Sequence, residues 1–253
     1  MTPDDFRRAA AGRRFKLVAL VHAETSTGVL TALDGFRDLA DELGALLAID
    51  CVTSLGGVPV DLDRFGVDAA YSGTQKCLSA PPGLAPISFS PRAVEAVHRR
   101  SSPVQSWYFD LSLIARYWLA GGGGARAYHH TAPINALYGL HEALRIVLEE
   151  GLDDRFERHR THGAALRDGL VSLGLTLPVE SRCALPQLTL VQVAHGVDEG
   201  AVRRRLLEEH GLEIGGGLGA FTGQAWRIGL MGSACTRANV DLCLGALGDA
   251  LKE

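Results

Sequence analysis

The stretch FKLVALVHAETSTGVLTALDGFRDLADELGALLAIDCVTSLGG, residues 15 to 57, sets one helical pattern between two apolar runs. Its middle places Leu33, Phe36, Leu39, Ala40 and Leu43 on one helix face, which Gly44 closes. The flanking runs, FKLVALVHAETSTG (15–28) and ALLAIDCVTSLGG (45–57), are nearly continuous in apolar residues and then turn polar. That order is a βαβ unit, and strands so apolar belong to a parallel sheet covered on both faces. A third run, VDAAYSGTQK (67–76), repeats the design. Open α/β sheets bind ligands at the carboxyl ends of their strands, so the polar ends of these three runs are where chemistry is expected.

Outward from this core the pattern continues. Residues 1–14 read as a helix preceding the first strand, and APISFS (85–90) as a fourth strand running into the helix PRAVEAVHRR. After a weakly patterned middle, residues 135 to 174 read as two long amphipathic helices or one bent at Gly151. Short strands at QLTLVQVA and AWRIGLMG flank the helix EGAVRRRLLEEHG, and a last helix starts at TRANVDLC. This predicts part of a large, cofactor-binding α/β domain over residues 1–149 and a smaller α+β domain over 150–253. The GGGG at 121–124 reads as a local flexible loop without a functional role.

Composition narrows the function classes. With 47% hydrophobic and 21% charged residues the chain reads as globular, and a net charge of −4 offers no basic surface for nucleic acid. Five cysteines without a CxxC pair suggest neither a disulfide framework nor a zinc site, and fit a reduced cytoplasm. No apolar run approaches the ~20 residues that span a bilayer, and the charged N-terminus has no apolar signal region. A soluble, cytoplasmic protein is expected.

The chemistry-bearing residues stand at the strand ends. Arginine supplies nearly all the positive charge, yet Lys76, one of only three lysines, sits between an apolar run and a Gly/Ser/Pro-rich turn. A Schiff-base lysine needs partial burial and room to swing, which such a loop provides. From position alone a surface lysine is the commoner case. Asp50 ends the run ALLAI at the same edge, where a carboxylate needs a cationic partner. The protonated ring nitrogen of pyridoxal phosphate is one such partner. A bond to the loop backbone is the alternative, just as Thr25, Ser26 and Thr27 could merely cap a following helix. His129 and His130 are adjacent on an extended segment and are expected to point to opposite sides. His22 reads as a polar strand-end residue.

The blocks HAETSTGVL, LLAIDCVTSLGGVPVDLDRFGVD, YSGTQKCLSAPPG, YHHTAP and WRIGLMG, in this order, resemble the alanine–glyoxylate and serine–glyoxylate aminotransferases, class V enzymes dependent on pyridoxal 5'-phosphate. The resemblance runs from about residue 15 to the C-terminus. It implies the α/β fold type I, with the sheet of the large domain N-terminally incomplete and a smaller α+β domain following. It implies that Lys76 forms the Schiff base and moves the substrate proton. Asp50 would pair with the ring nitrogen, Val52 pack on the ring, Thr25 approach the phenolic oxygen and Gln75 the phosphate. Tyr128 and Thr131 match residues that reach the phosphate of a neighbouring subunit, implying a homodimer. Arg227 matches the arginine that forks onto the substrate carboxylate, where an ion pair at the core edge is the competing reading.

The implied reaction moves the amino group of alanine or serine to glyoxylate or a similar 2-oxo acid. Gln75 stands where lyases and desulfurases of the class commonly carry histidine, which favours transamination. Family members extend further at the N-terminus, with a Gly-rich phosphate turn and a stacking aromatic absent from residues 1–14. A non-catalytic remnant or partner subunit is therefore the alternative expectation.

Overall fold

The computed structural model describes residues 1–118 and 127–252, so the glycine run at 121–124 lies outside the described residues. The chain begins with helix α1 (Pro3–Ala10), whose Thr2 and Asp5 form a reciprocal capping box. Strand β1 (Leu17–Val21) and a hairpin of β2 (Ala23–Glu24) and β3 (Val29–Leu30) follow, then α2 (Phe36–Leu43), β4 (Leu46–Asp50), β5 (Ala69–Tyr71) and β6 (Ile87–Phe89). Strands β1, β4, β5 and β6 form one sheet in that order. The pairs β1–β4 and β4–β5 are parallel, while β6 returns antiparallel to β5.

Helix α2 packs Phe36, Leu39 and Ala40 with no exposure against Leu47 and Ile49 of β4 and Val18 and Leu20 of β1. Gly44 adopts φ +69° and caps the helix, as its position predicts. Arg37 reaches from α2 to the buried Asp68 at 2.7 Å, and Asp68 also accepts from the Leu47 amide and the Ser90 hydroxyl. This single carboxylate therefore ties helix to sheet at the end opposite the polar strand tips.

The C-terminal half begins after α3 (Pro91–His98) and α4 (Leu111–Trp118) with α5 (Ile134–Glu150) and α6 (Leu152–Ser172). The two long helices break at Gly151, whose φ of +83° no helix tolerates. A three-stranded sheet follows, in the order β7 (Leu188–Gln192), β9 (Ala225–Gly229), β8 (Gly215–Gly216), antiparallel throughout and flanked by α7 (Glu199–His210) and α8 (Arg237–Ala250). Its own core gathers Leu166, Leu170, Leu206, Trp226, Val240 and Leu247. Two smaller clusters join the halves: Ala23 with Leu185 and Leu188, and Val29 with Leu190 and Ala225. Among the described residues no helix is long and apolar enough to cross a membrane.

Candidate active site at the strand ends

Val21, Asp50 and Tyr71 lie side by side in register across β1, β4 and β5. The ladder runs one step further, the His22 amide donating to Asp50 O at 3.0 Å and the Cys51 amide to Tyr71 O at 2.8 Å, before the strands peel apart. Thr25, Asp50 and Lys76 thus leave the sheet at one edge. Asp50 is half-buried, and its Oδ1 accepts the Val52 amide at 2.8 Å. The loop-backbone alternative is therefore realised with that oxygen. Tyr71 stands beside it, and the hydrogen bond to the Asp50 carboxylate pushes its phenol up to about 12. Val52, also half-buried, opens the turn that follows.

Lys76 sits in a compact turn. The Thr74 hydroxyl donates to Pro81 O at 2.7 Å, and the amides of Ser79 and Ala80 close back onto Lys76 O and Thr74 O. The lysine is half-buried and makes no hydrogen bond or ion pair among the described residues. The other two lysines differ: Lys16 is exposed, and Lys252 pairs with Asp249 at 2.9 Å. Gln75, just before the lysine, is exposed, its amide folded over Gly73 where a Cβ would lie 2.8 Å from Oε1.

Thr25 opens the tight turn between β2 and β3, which Gly28 closes with φ +75° and an amide bond to Glu24 O at 2.8 Å. No helix follows this turn, so the hydroxyl run caps nothing; α2 starts after Gly35. Arg227, on β9, lies across this segment: Nε donates to Gly216 O at 2.7 Å and Nη1 to Thr25 O at 3.5 Å. No carboxylate pairs with it among the described residues, so the ion-pair reading gives way to an arginine held through carbonyls. The close approach explains Gly215, whose Cβ would lie 3.2 Å from Arg227 Nη2. The IGGGLG segment carried that signal in the sequence as a glycine cluster preceding the arginine strand.

Other expectations fare differently. Tyr128 and Thr131 meet each other, hydroxyl to hydroxyl at 2.6 Å, but both are exposed and neither makes a hydrogen bond to the Lys76 turn among the described residues. The expectation that His129 and His130 diverge is overturned: their Nδ1 atoms lie 2.8 Å apart. Residues 127–133 pair with no strand, so nothing enforces side-chain alternation there. His129 instead stacks on Trp107 with ring centroids 4.0 Å apart. No group of three metal-ligating side chains occurs among the described residues. His22 is buried with Nδ1 lacking any partner, and burial pushes its pKa down to about 4. Sequence reasoning placed it at a strand end but missed that it is enclosed.

The donor set fits pyridoxal phosphate. The edge offers a half-buried amine and a half-buried carboxylate that accepts the Val52 amide on Oδ1 beside the Tyr71 phenol, together with an arginine fixed on carbonyls; neither cation has an ion-pair partner among the described residues. Comparison with known proteins gives the same direction. The family model for aminotransferase class V matches residues 1–241. An alanine–glyoxylate aminotransferase of Callithrix jacchus is 44% identical, covering 93% of this chain and 57% of that protein. A (S)-ureidoglycine–glyoxylate transaminase of Bacillus subtilis is 39% identical over 97% of this chain and 62% of its own. The crystal structure of an alanine–glyoxylate aminotransferase from Nostoc sp. superposes with a TM-score of 0.94 at 47% identity, covering all of this chain and 66% of that one. The chain thus spans about three fifths of the length of the curated relatives it matches. It belongs to the class V aminotransferase family, and its architecture is that of the fold type I aminotransferases.

Proposed function

We propose that this member of the class V family takes part in pyridoxal-phosphate-dependent transamination, moving the amino group of a small amino acid, alanine or serine, to glyoxylate or a similar 2-oxo acid. The observation that carries the reading is the half-buried Lys76, without a hydrogen-bond or ion-pair partner among the described residues, leaving the sheet at the edge shared by Asp50 and Thr25. When bound, the cofactor supplies an electron sink for the substrate α-carbon. Asp50 would hold the ring nitrogen and Val52 one ring face, with Thr25 near the phenolic oxygen. Gln75 would serve the phosphate of its own subunit.

Each side chain has work of its own. Lys76 would hold the cofactor through its carbonyl carbon, and it is the amine placed to carry a proton to and from the substrate α-carbon. Arg227 offers Nη2 to the substrate carboxylate while Nε stays anchored on Gly216 O, which fixes the fork's orientation before substrate arrives. Tyr128 and Thr131 face outward, and the 75% exposure of Tyr128 supports their service to the phosphate of a second subunit in a homodimer. A reduced cytoplasmic setting suits the five free cysteines, four of them buried.

Addition of pyridoxal phosphate to the purified chain tests the reading. A visible absorption band is expected that Lys76→Ala abolishes, and borohydride should fix the label on Lys76 in peptide mass spectra. Bleaching by alanine or serine and recovery with glyoxylate would follow. A wild-type chain without a band, or a band that survives Lys76→Ala, defeats the proposal.

A further inference from the structure

The first turns of α6 bury a charged cluster that none of the roles above employs. Arg155 is 2% exposed and His159 fully enclosed, with Glu150 and Arg158 half-buried beside them. Such a cluster is costly to desolvate, and its hydrogen bonds show where that cost is spent. Arg155 donates Nε to Gly56 O at 3.0 Å, Nη2 to Cys77 O at 2.5 Å and Nη1 to Glu150 at 2.5 Å. Gly56 lies in the turn that follows Asp50, and Cys77 is the residue after Lys76. One guanidinium therefore holds both turns at a fixed separation.

The neighbours add to the lock. Arg158 donates to Gly232 O and Cys235 O, in the turn that follows the Arg227 strand, and pairs with the same Glu150. His159 donates Nδ1–H to Arg155 O and accepts the Gly232 amide on Nε2, which fixes it as the neutral tautomer. The turns also interlock directly: the Cys77 thiol donates to Thr53 O at 3.4 Å, and Ser79, at φ +60°, accepts the Ser233 amide at 2.8 Å. Gly57 is explained by the same closeness, since its Cβ would lie 2.7 Å from Cys77 Sγ. A residue at positive φ three positions after the lysine persists only where its surroundings over-determine it.

We propose that Arg155, oriented by Glu150, is a positioning residue for Lys76: by gripping Cys77 O and Gly56 O together it fixes where the lysine turn stands relative to the turn after Asp50. The inference rests on the Lys76 reading given above, but its consequence is measurable without cofactor. Because the chain has three lysines, Lys16 and Lys252 serve as exposed internal standards for the reactivity of Lys76.

The test acetylates the cofactor-free 253-residue chain briefly and reads, by peptide mass spectrometry, the ratio of Lys76 labelling to that of Lys16 and Lys252. Arg155→Met releases both carbonyls, and the ratio is expected to rise about tenfold as local opening of the turn becomes frequent. Arg155→Lys keeps the charge for Glu150 yet cannot grip both carbonyls, so an intermediate ratio is expected; this variant also serves if Arg155→Met does not fold. Leu206→Ala, in the separate C-terminal core, destabilises the chain without touching either turn and should leave the ratio within about twofold of wild type. With pyridoxal phosphate added, Arg155→Met should weaken binding about tenfold and Leu206→Ala should not. An unchanged ratio in both arginine variants, or an equal rise in Leu206→Ala, overturns the proposal. If the wild-type chain binds no pyridoxal phosphate, the functional reading falls, while the labelling ratio still decides the positioning role.

Discussion

Replacing Gly163 by alanine sets two effects of opposite sign against each other. Gly163 lies in α6, where alanine normally gains ~1 kcal/mol over glycine by limiting the unfolded chain and favouring the helix. Here the new Cβ would fall 2.6 Å from Pro186 O and 3.1 Å from Pro186 Cα. Those are backbone atoms, so no side chain can rotate aside. The helix must move off the segment that carries Leu185 and Gln187, both with no exposure. Overpacking of this kind costs ~1–3 kcal/mol, and with immobile neighbours the upper part of that range applies, leaving a net loss of about 1–2 kcal/mol. Gly245 in α8 supplies the control, since its Cβ would meet nothing within 4 Å. Gly245→Ala should gain ~0.5–1 kcal/mol. For a chain this long the two variants should melt ~3–12 °C apart, on opposite sides of wild type. Urea unfolding followed by circular dichroism reads the signs directly. A Gly163→Ala protein as stable as wild type would show that the α6–Pro186 contact yields cheaply, and the reasoning would fail.

Acid should unfold the protein earlier than its carboxylates alone dictate. Burial pushes both His22 and His159 down to about 4. Each stays neutral when folded but protonates near 6.5 when unfolded, so stability is complete above pH 6.5 and falls as the pH drops toward 4. Between pH 7.5 and 5 each histidine costs about 2 kcal/mol, and His22→Gln should flatten that slope in urea titrations at the two pH values. Asp68→Asn should destabilise by ~1.5–3 kcal/mol, because Arg37 keeps only its pair with Asp41 and the buried carboxylate that accepts from Arg37, the Leu47 amide and Ser90 is lost; a change under ~1 kcal/mol in the same assay would contradict the clamp. Burial raises the Asp68 pKa, but its bonds to the Leu47 amide, Arg37 and Ser90 outweigh that and hold it low, so its contribution is lost as pH falls below the ordinary carboxylate range. Arg227→Lys should leave any pyridoxal phosphate band intact while raising the amino-acid concentration needed to bleach it at least about tenfold, since a point ammonium cannot replace a fork anchored on Gly216 O.

The parts of this fold legible in sequence are those set by neighbours along the chain. The α2 stripe, the cap at Gly44, the break at Gly151 and the three apolar strands each depend on periodicity or on a single residue's backbone freedom. The edge shared by Thr25, Asp50 and Lys76 followed from them, because parallel strands end on one side. What was not legible depends on partners far off in sequence. Arg227 meets Thr25 across 202 positions, and Arg155 meets Gly56 across 99. One trace was present: Arg155, His159, Gly163, Leu166 and Leu170 form a continuous buried stripe at helical spacing. A stripe that mixes arginine and histidine with leucine marks a helix face that meets backbone at one end and a core at the other. Read only for amphipathicity, the charged end passes as a solvated face.

That stripe changes how the candidate site is understood as a mechanical object. The first sheet presents its functional residues on turns, and turns at strand ends have little packing of their own. Here each is fastened to the C-terminal half instead. The Thr25 hairpin closes on β7, with Leu185 donating to Gly28 O at 2.9 Å and no room for a Cβ at Gly28 beside Leu188 O. The Asp50 and Lys76 turns close on Arg155, and the Arg227 strand runs into Gly232, whose amide His159 receives. The sheet therefore sets the direction of each functional residue, but the C-terminal half sets their mutual spacing. A substitution in α6 that never touches a ligand should on this account move Lys76 and Arg227 together, because Arg155 holds Cys77 O while Arg158 and His159 hold the turn after the Arg227 strand.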